Sequence, residues 1–181
     1  MIYYFDCQKI CLTKNYNKGV VQVGKDVVKI NELLVSVYDN IEVLEEKSLK
    51  SGAFKDLSIT EIHTIEAIGL SSEKSMSEVA TKLEITTGTL TIAIDKLIKK
   101  GYVERNRSEA DRRIVYIALT KKGKLAYRMH ERFHYQMVKN VIEDMTDEES
   151  EILISGLNKL NTFVKNLCDE TEKKIRKKDV E

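Results

Sequence analysis

The chain of 181 residues suits either one domain with a good core or a small domain carrying long helices that need a partner to cover them. It has no proline and only eight glycines, with 33% charged and 42% hydrophobic residues, a composition that favours long unbroken helices over a sheet-rich fold. Net charge is +1, which taken alone argues against a nucleic-acid binder, but the average conceals a split. Lys82 to Arg128 holds twelve Lys or Arg against five Asp or Glu, whereas Val141 to Glu170 holds eight acids against two lysines. One region attracts phosphate and the other does not.

No apolar run approaches the roughly 18 residues that a membrane span requires, and the N-terminus has no signal-peptide layout, so a soluble, cytoplasmic protein is expected. Cys7, Cys11 and Cys168 are odd in number and lack CxxC spacing, which argues against a disulfide framework or a zinc knuckle.

Residues 1–24 show no periodicity and read as a disordered leader; the purine-rich coding expected at Lys18-Gly19 places a natural start near Val20 to Val23. From Lys25 the apolar positions Val27, Ile30, Leu33, Leu34, Val37, Ile41 and Leu44 fall at helical spacing, predicting a first helix that ends before Ser51-Gly52. Ser58-Ile-Thr-Glu61 and Ser75-Met-Ser-Glu78 are capping boxes, each predicting a short helix, over about 58–70 and 75–82. Thr86 caps a further helix running to Lys100, with Leu90, Ile94, Leu97 and Ile98 on one face and Gly101 as its stop.

The runs Tyr102–Val103 and Ile114–Leu119 flank a polar loop, Asn106 to Arg112, as the strands of a hairpin would. Thr120 opens another helix to about Asp144. Thr146-Asp-Glu-Glu149 is a third capping box, opening a last helix to around Cys168. Thr171 to Glu181 reads as a frayed basic tail.

The order from Ser75 to Thr120, two helices and then an arginine-rich hairpin, describes a winged helix-turn-helix, whose second helix suits the major groove and whose ribbon suits the minor groove. The expected organisation is a leader over 1–24, a regulator over 25–170 and a tail over 171–181. Within the regulator, 55–120 is the DNA-binding core, and 25–50 and 121–170 are dimerisation helices. The fold class is therefore mainly α with a small β-hairpin wing.

The elements from Lys25 to Leu167 resemble the MarR family of dimeric winged-helix regulators. The resemblance rests on Leu97-Ile-Lys-Lys-Gly101-Tyr-Val-Glu-Arg105, on Asp111-Arg112-Arg113, and on Leu119-Thr120-Lys-Lys-Gly123. Finer similarity is to the FabT branch, repressors of fatty-acid synthesis in Gram-positive bacteria. It is carried by the segments Phe54 to Ile65, Arg107 to Arg113, and His130-Glu-Arg-Phe-His134. That resemblance implies a homodimer on a pseudo-palindromic double-stranded operator, with acyl-acyl carrier protein as corepressor.

On the Thr86–Lys100 helix, Thr87, Gly88, Thr89, Thr91 and Ile92 lie early on the exposed face, with Lys96 and Lys99 later. Threonine can bond a base or a phosphate, its methyl suits the thymine methyl, and Gly88 permits close backbone approach, so an A·T-rich half-site is expected. In the wing, Arg113 is expected in the minor groove with Asp111 fixing its geometry, while Arg107 and Arg112 hold phosphates.

The three histidines leave several readings open. His130-Glu131-Arg-Phe-His134 satisfies HExxH, the pattern of a metallopeptidase, but no third ligand follows it. By resemblance to the zinc-responsive MarR branch, His63, His130 and His134, with a carboxylate from Glu45 or Glu46, match a tetrahedral zinc site for a zinc-responsive repressor. Under the FabT-like reading the same residues line an acyl pocket, and Arg128 and Arg132 are the basic groups that would receive an acidic carrier protein. A regulator released by a small molecule of drug or stress response is the remaining alternative. No catalytic nucleophile, phosphate loop or cofactor fingerprint is present, so no enzyme is expected.

Overall fold

A computed structural model describes residues 23–71, 73–107 and 115–178. The chain divides into two compact units, the first ending at Ile59 and the second beginning at Thr60. Of the leader expected over 1–24, residues 1–22 lie outside the described residues, as does most of the wing tip, 108–114, while Val23 and Gly24 already belong to the first helix.

In the N-terminal unit, α1 (Val23–Ser51) runs unbroken for 29 residues, as its helical spacing predicts. Asp26 in its first turn and Lys50 in its last suit the helix dipole. Of the predicted apolar stripe, Val27, Ile30, Leu33, Leu34, Val37 and Leu44 are exposed in the single chain and Ile41 is half-buried.

The second unit begins with α2 (Ile59–Ile68), which stops two residues earlier than predicted, at Gly69. The strand β1 (Lys74–Ser75) then leads into α3 (Met76–Lys82) and α4 (Thr87–Lys99). Next come β2 (Val103–Arg107), β3 (Val115–Leu119), α5 (Lys121–Ile142) and α6 (Asp147–Lys178). The sheet is antiparallel with strand order β1-β3-β2; Lys74 pairs with Ile117, and β2 pairs with β3 from Val103↔Leu119 to Arg107↔Val115.

Four of the predicted caps are present. The Ser75–Glu78 box is reciprocal, Glu78 N–H donating to Ser75 Oγ at 3.2 Å and Ser75 N–H donating to the Glu78 carboxylate at 2.7 Å. Thr86 accepts from Thr89 N–H at 3.1 Å and Thr120 from Gly123 N–H at 3.1 Å. Thr146 and Glu149 form the third box, at 3.2 and 2.9 Å. Each satisfies a backbone donor that the helix start would otherwise leave bare.

Two turns close by the same six-to-one pattern. After α4, Gly101 at φ +79° lets its own N–H reach the Ile98 carbonyl and the Tyr102 N–H reach that of Leu97. Leu97 and Tyr102 are both fully buried, the apolar contact that accompanies this cap. After α3 the same bonds run from Glu84 to Thr81 and from Ile85 to Ala80, but with Glu84, not glycine, at φ +54°.

The core of this unit is Ile62, Ile65, Ile68, Val79, Leu90, Ile94, Leu97, Tyr102 and Ile117, every one essentially solvent-free. It draws on α2, α3, α4, β3 and the Gly101 turn, so the recognition-helix candidate is anchored by its Leu90, Ile94 and Leu97 face.

Three sequence expectations need correction. The two-residue β1 was not foreseen, being too short to show any periodicity. Asn106 and Arg107 belong to β2 and not to the hairpin loop, because the ladder with β3 extends to them, while Tyr102 precedes the strand. Helix α6 continues past Cys168 to Lys178, through most of the segment read as a tail. Nothing in Thr171-Glu-Lys-Lys-Ile-Arg-Lys-Lys breaks a helix, and its lysines and arginine suit a helix C-terminus.

Candidate nucleic-acid interface and histidine cluster

Helix α4 turns Leu90, Ile94 and Leu97 inward, which leaves Thr87, Gly88, Thr89, Thr91, Ile92, Lys96 and Lys99 exposed, as their spacing predicts. Ile92, at 62% exposure, is near the centre of that outer face. The threonine hydroxyls are partly engaged by the helix itself. Thr91 Oγ1 donates to the Thr87 carbonyl at 2.8 Å, and the Thr89 and Thr86 hydroxyls share a 2.9 Å hydrogen bond.

The C-terminal end of α4 is fastened at several points. Lys100, its C-cap, places Nζ 2.7 and 2.8 Å from the two carboxylate oxygens of Glu61 on α2. By spacing alone Glu61 is a capping residue. It is 8% exposed and this ion pair compensates its burial. The Lys100 carbonyl accepts from Lys122 Nζ at 3.0 Å, and the Lys122 ammonium also stands 4.0 Å from the centre of the Tyr102 ring. Arg105 on β2 pairs with Asp95 on α4 at 2.8 Å, joining the wing strand to the helix beside it. Asn106 Nδ2 donates to the Glu73 carboxylate just before β1.

The start of α5 sits directly on this junction. Thr120 Oγ1 donates to the Gly101 carbonyl at 2.7 Å, and its N–H to that of Tyr102 at 3.0 Å. A side chain at Gly123 would collide with the same carbonyl, its Cβ falling 2.1 Å from the Tyr102 oxygen. The Leu119-Thr-Lys-Lys-Gly123 motif is thereby explained: the threonine caps, the second lysine covers Tyr102, and the glycine permits contact.

Arg107 pairs through its backbone with Val115 at the far end of the hairpin. Asp111, Arg112 and Arg113, to which groove and phosphate contacts were assigned, lie outside the described residues.

A second cluster joins α2 and α5. His63 and His130 have ring centroids 5.6 Å apart, and His130 and His134 4.5 Å apart with their Nε2 atoms at 3.1 Å. Glu66 approaches His130 Nε2 to 3.7 Å, and Phe133 meets His134 edge-on at 5.3 Å. His130 is 7% exposed, whereas Glu131 beside it points to solvent. The helix thus separates the carboxylate from the imidazoles with which the HExxH reading needs it to act. Glu45 is a buried acid on α1 in the N-terminal unit. Arg128 and Arg132, four residues apart on α5, are both exposed.

Sequence reading found the caps and the outer face of α4 because those signals are local. It missed Asp95–Arg105, Glu61–Lys100 and the Lys122–Tyr102 stack, which join residues 10, 39 and 20 positions apart with no repeating pattern to betray them.

Comparison with known proteins agrees with this architecture. A family model described as transcriptional regulator SarA/Rot matches residues 48–128. The chain is similar to Streptococcus pneumoniae FabT in the crystal structure of its DNA complex, at 45% identity and TM-score 0.75, covering 78% of this chain and 99% of that one. It is 31% identical to the HTH-type transcriptional regulator BilQ of Clostridium symbiosum over 103 residues, 56% of this chain and 71% of BilQ. A MarR family protein from Bacillus stearothermophilus shares the fold at 20% identity and TM-score 0.66, over 78% of this chain and 97% of that one. These relatives are regulators and not enzymes, which disposes of the peptidase reading. With its capped helix pair, three-stranded wing sheet and these similarities, the chain belongs to the MarR family of winged-helix, DNA-binding transcriptional regulators.

Proposed function

We propose that this regulator is a homodimeric repressor of fatty-acid synthesis genes whose operator affinity rises with a long-chain acyl group on acyl carrier protein. The observation that carries this reading is the 45% identity to FabT across 99% of that chain. The DNA surface would comprise Thr87, Gly88, Thr89, Thr91, Ile92 and Lys96 of α4, with Arg107, Asp111, Arg112 and Arg113 of the wing. The dimer is supported by the uncovered apolar residues of both long terminal helices, among them Leu33 and Val37 of α1 and Leu157, Leu160 and Phe163 of α6. A second copy of the same chain supplies the matching stripe. The organisation proposed is thus a DNA-binding core over 55–120 between dimerisation helices at 25–50 and 121–170.

His63, His130 and His134 would border the acyl pocket, and exposed Arg128 and Arg132 would receive the acidic carrier. Fluorescence anisotropy on duplexes from fatty-acid synthesis promoters tests the reading. Acylated carrier protein should tighten binding and the unacylated form should not; equal affinities with both would overturn it. Reversing Arg128 and Arg132 to glutamate should abolish the acyl-carrier effect.

One observation favours a second reading, a zinc-responsive repressor. Two imidazole nitrogens sharing a tetrahedral zinc stand about 3.3 Å apart, and His130 and His134 place theirs at 3.1 Å with His63 alongside. By resemblance, His63, His130 and His134 would be the imidazole ligands, and zinc would supply a link between α2 and α5. Native mass spectrometry of the purified chain separates the readings, since bound zinc in stoichiometric amount belongs only to this one.

A further inference from the structure

Gly88 and Ile92 are two residues for which the fold itself has no use. Gly88 lies in the first turn of α4, with ordinary negative φ, and a Cβ there would meet only Thr86 Oγ1, at the comfortable distance of 3.8 Å. Alanine would fit and would favour the helix, so neither backbone conformation nor packing within this chain calls for glycine. Ile92, one turn later on the same face, exposes 62% of its surface, whereas Leu90, Ile94 and Leu97 of the same helix are buried in the core. Around this pair stand Lys96 and Lys99, suited to phosphate, and the threonines.

The threonines are the obvious candidates for reading bases by hydrogen bonds, yet the structure gives two of them other work. The Thr91 hydroxyl hydrogen goes to the Thr87 carbonyl, and the hydrogen bond between the Thr89 and Thr86 hydroxyls takes up one of their two hydrogens. What this face offers outward at its centre is a smooth, hydrogen-only backbone patch followed by a branched aliphatic side chain. In the major groove one base presents an aliphatic group, the C5-methyl of thymine.

We propose that Gly88 and Ile92 form a methyl-reading element: the missing side chain at Gly88 lets the first turn of α4 lie against the base edges, and Ile92 packs on thymine methyl groups. Thymine is then selected by apolar contact and not by threonine hydrogen bonds. The proposal rests on the DNA-binding function, and on α4 being the helix in the major groove.

The test uses the full chain and a duplex that it enriches from a random-sequence pool. Each thymine is replaced in turn by uracil, which removes the methyl and leaves the base pair intact. At one or more thymines in each half-site the substitution should weaken binding roughly fourfold per methyl, the value of one buried carbon. Ile92→Ala should bind more weakly and be indifferent to uracil at those positions. Gly88→Ala should raise the melting temperature while lowering affinity, so that loss of binding cannot be ascribed to misfolding. Uracil tolerated within about twofold at every position, or an Ile92→Ala protein as sensitive to it as the parent, would overturn the proposal and leave DNA binding standing. A pool from which nothing is enriched would overturn the DNA-binding function and this proposal together.

Discussion

Gly123 lies so close to Tyr102 that a Cβ on the glycine would fall 2.1 Å from the tyrosine's carbonyl oxygen, with the carbonyl carbon at 3.1 Å. Both obstructing atoms are backbone, and that carbonyl already accepts from the Thr120 N–H. Gly123→Ala must therefore push α5 away from the end of α4. We expect a loss of about 3 kcal/mol, the upper part of the range for overpacking, visible as a lower midpoint in urea unfolding with DNA affinity reduced as well.

Glu84 occupies the turn between α3 and α4 at φ +54°, a left-handed conformation that suits glycine better than glutamate. Its side chain is exposed. Glu84→Gly should keep both capping hydrogen bonds and stabilise the domain by up to about 1 kcal/mol, checked by thermal melting.

Glu78 carries the pH dependence that the structure makes explicit. The Ser75 hydroxyl and then the Ser75 N–H, each donating at 2.7 Å, hold its carboxyl below the ordinary value of 4.5. A carboxylate whose value is depressed on folding stabilises the fold above its unfolded value, and that contribution disappears as the pH falls through the folded one. Melting temperatures recorded from neutral pH to about pH 3 should therefore fall less steeply for Glu78→Gln than for the parent over the acid range.

DNA affinity should depend strongly on salt. If the dimer neutralises roughly 6–8 phosphates, the log–log slope will be on the order of −5 to −7. Arg113→Ala should lower operator affinity at physiological salt by about tenfold or more, as expected for an arginine in a narrow minor groove. An unchanged affinity in an anisotropy titration would remove the wing from the interface.

The parts of the fold that were legible in the sequence are those set by neighbours within four residues. Ser75 with Glu78, Thr86 with Thr89 and Thr146 with Glu149 are local devices, and Gly101 ends α4 by its own backbone freedom. Helix α6 overran its predicted end because no residue after Cys168 forces a stop, and periodicity had faded while helix propensity had not. Glu61 has the spacing of a cap, and its carboxylate also reaches Lys100, a tertiary partner that spacing cannot reveal. In the histidine cluster, His130 and His134 announce themselves as an i, i+4 pair, whereas His63 joins them only because α2 packs beside α5.

Lys100 has a mechanical consequence. Its ammonium holds α2 at Glu61 and its carbonyl holds α5 at Lys122, so the rear of α4 is hitched to both neighbouring helices. On those helices His63 follows Glu61 by two residues, and His130 follows Lys122 by eight, roughly two turns. The imidazole cluster and the two hitches therefore lie on one pair of helices, and Lys100 is the residue that ties both of them to α4.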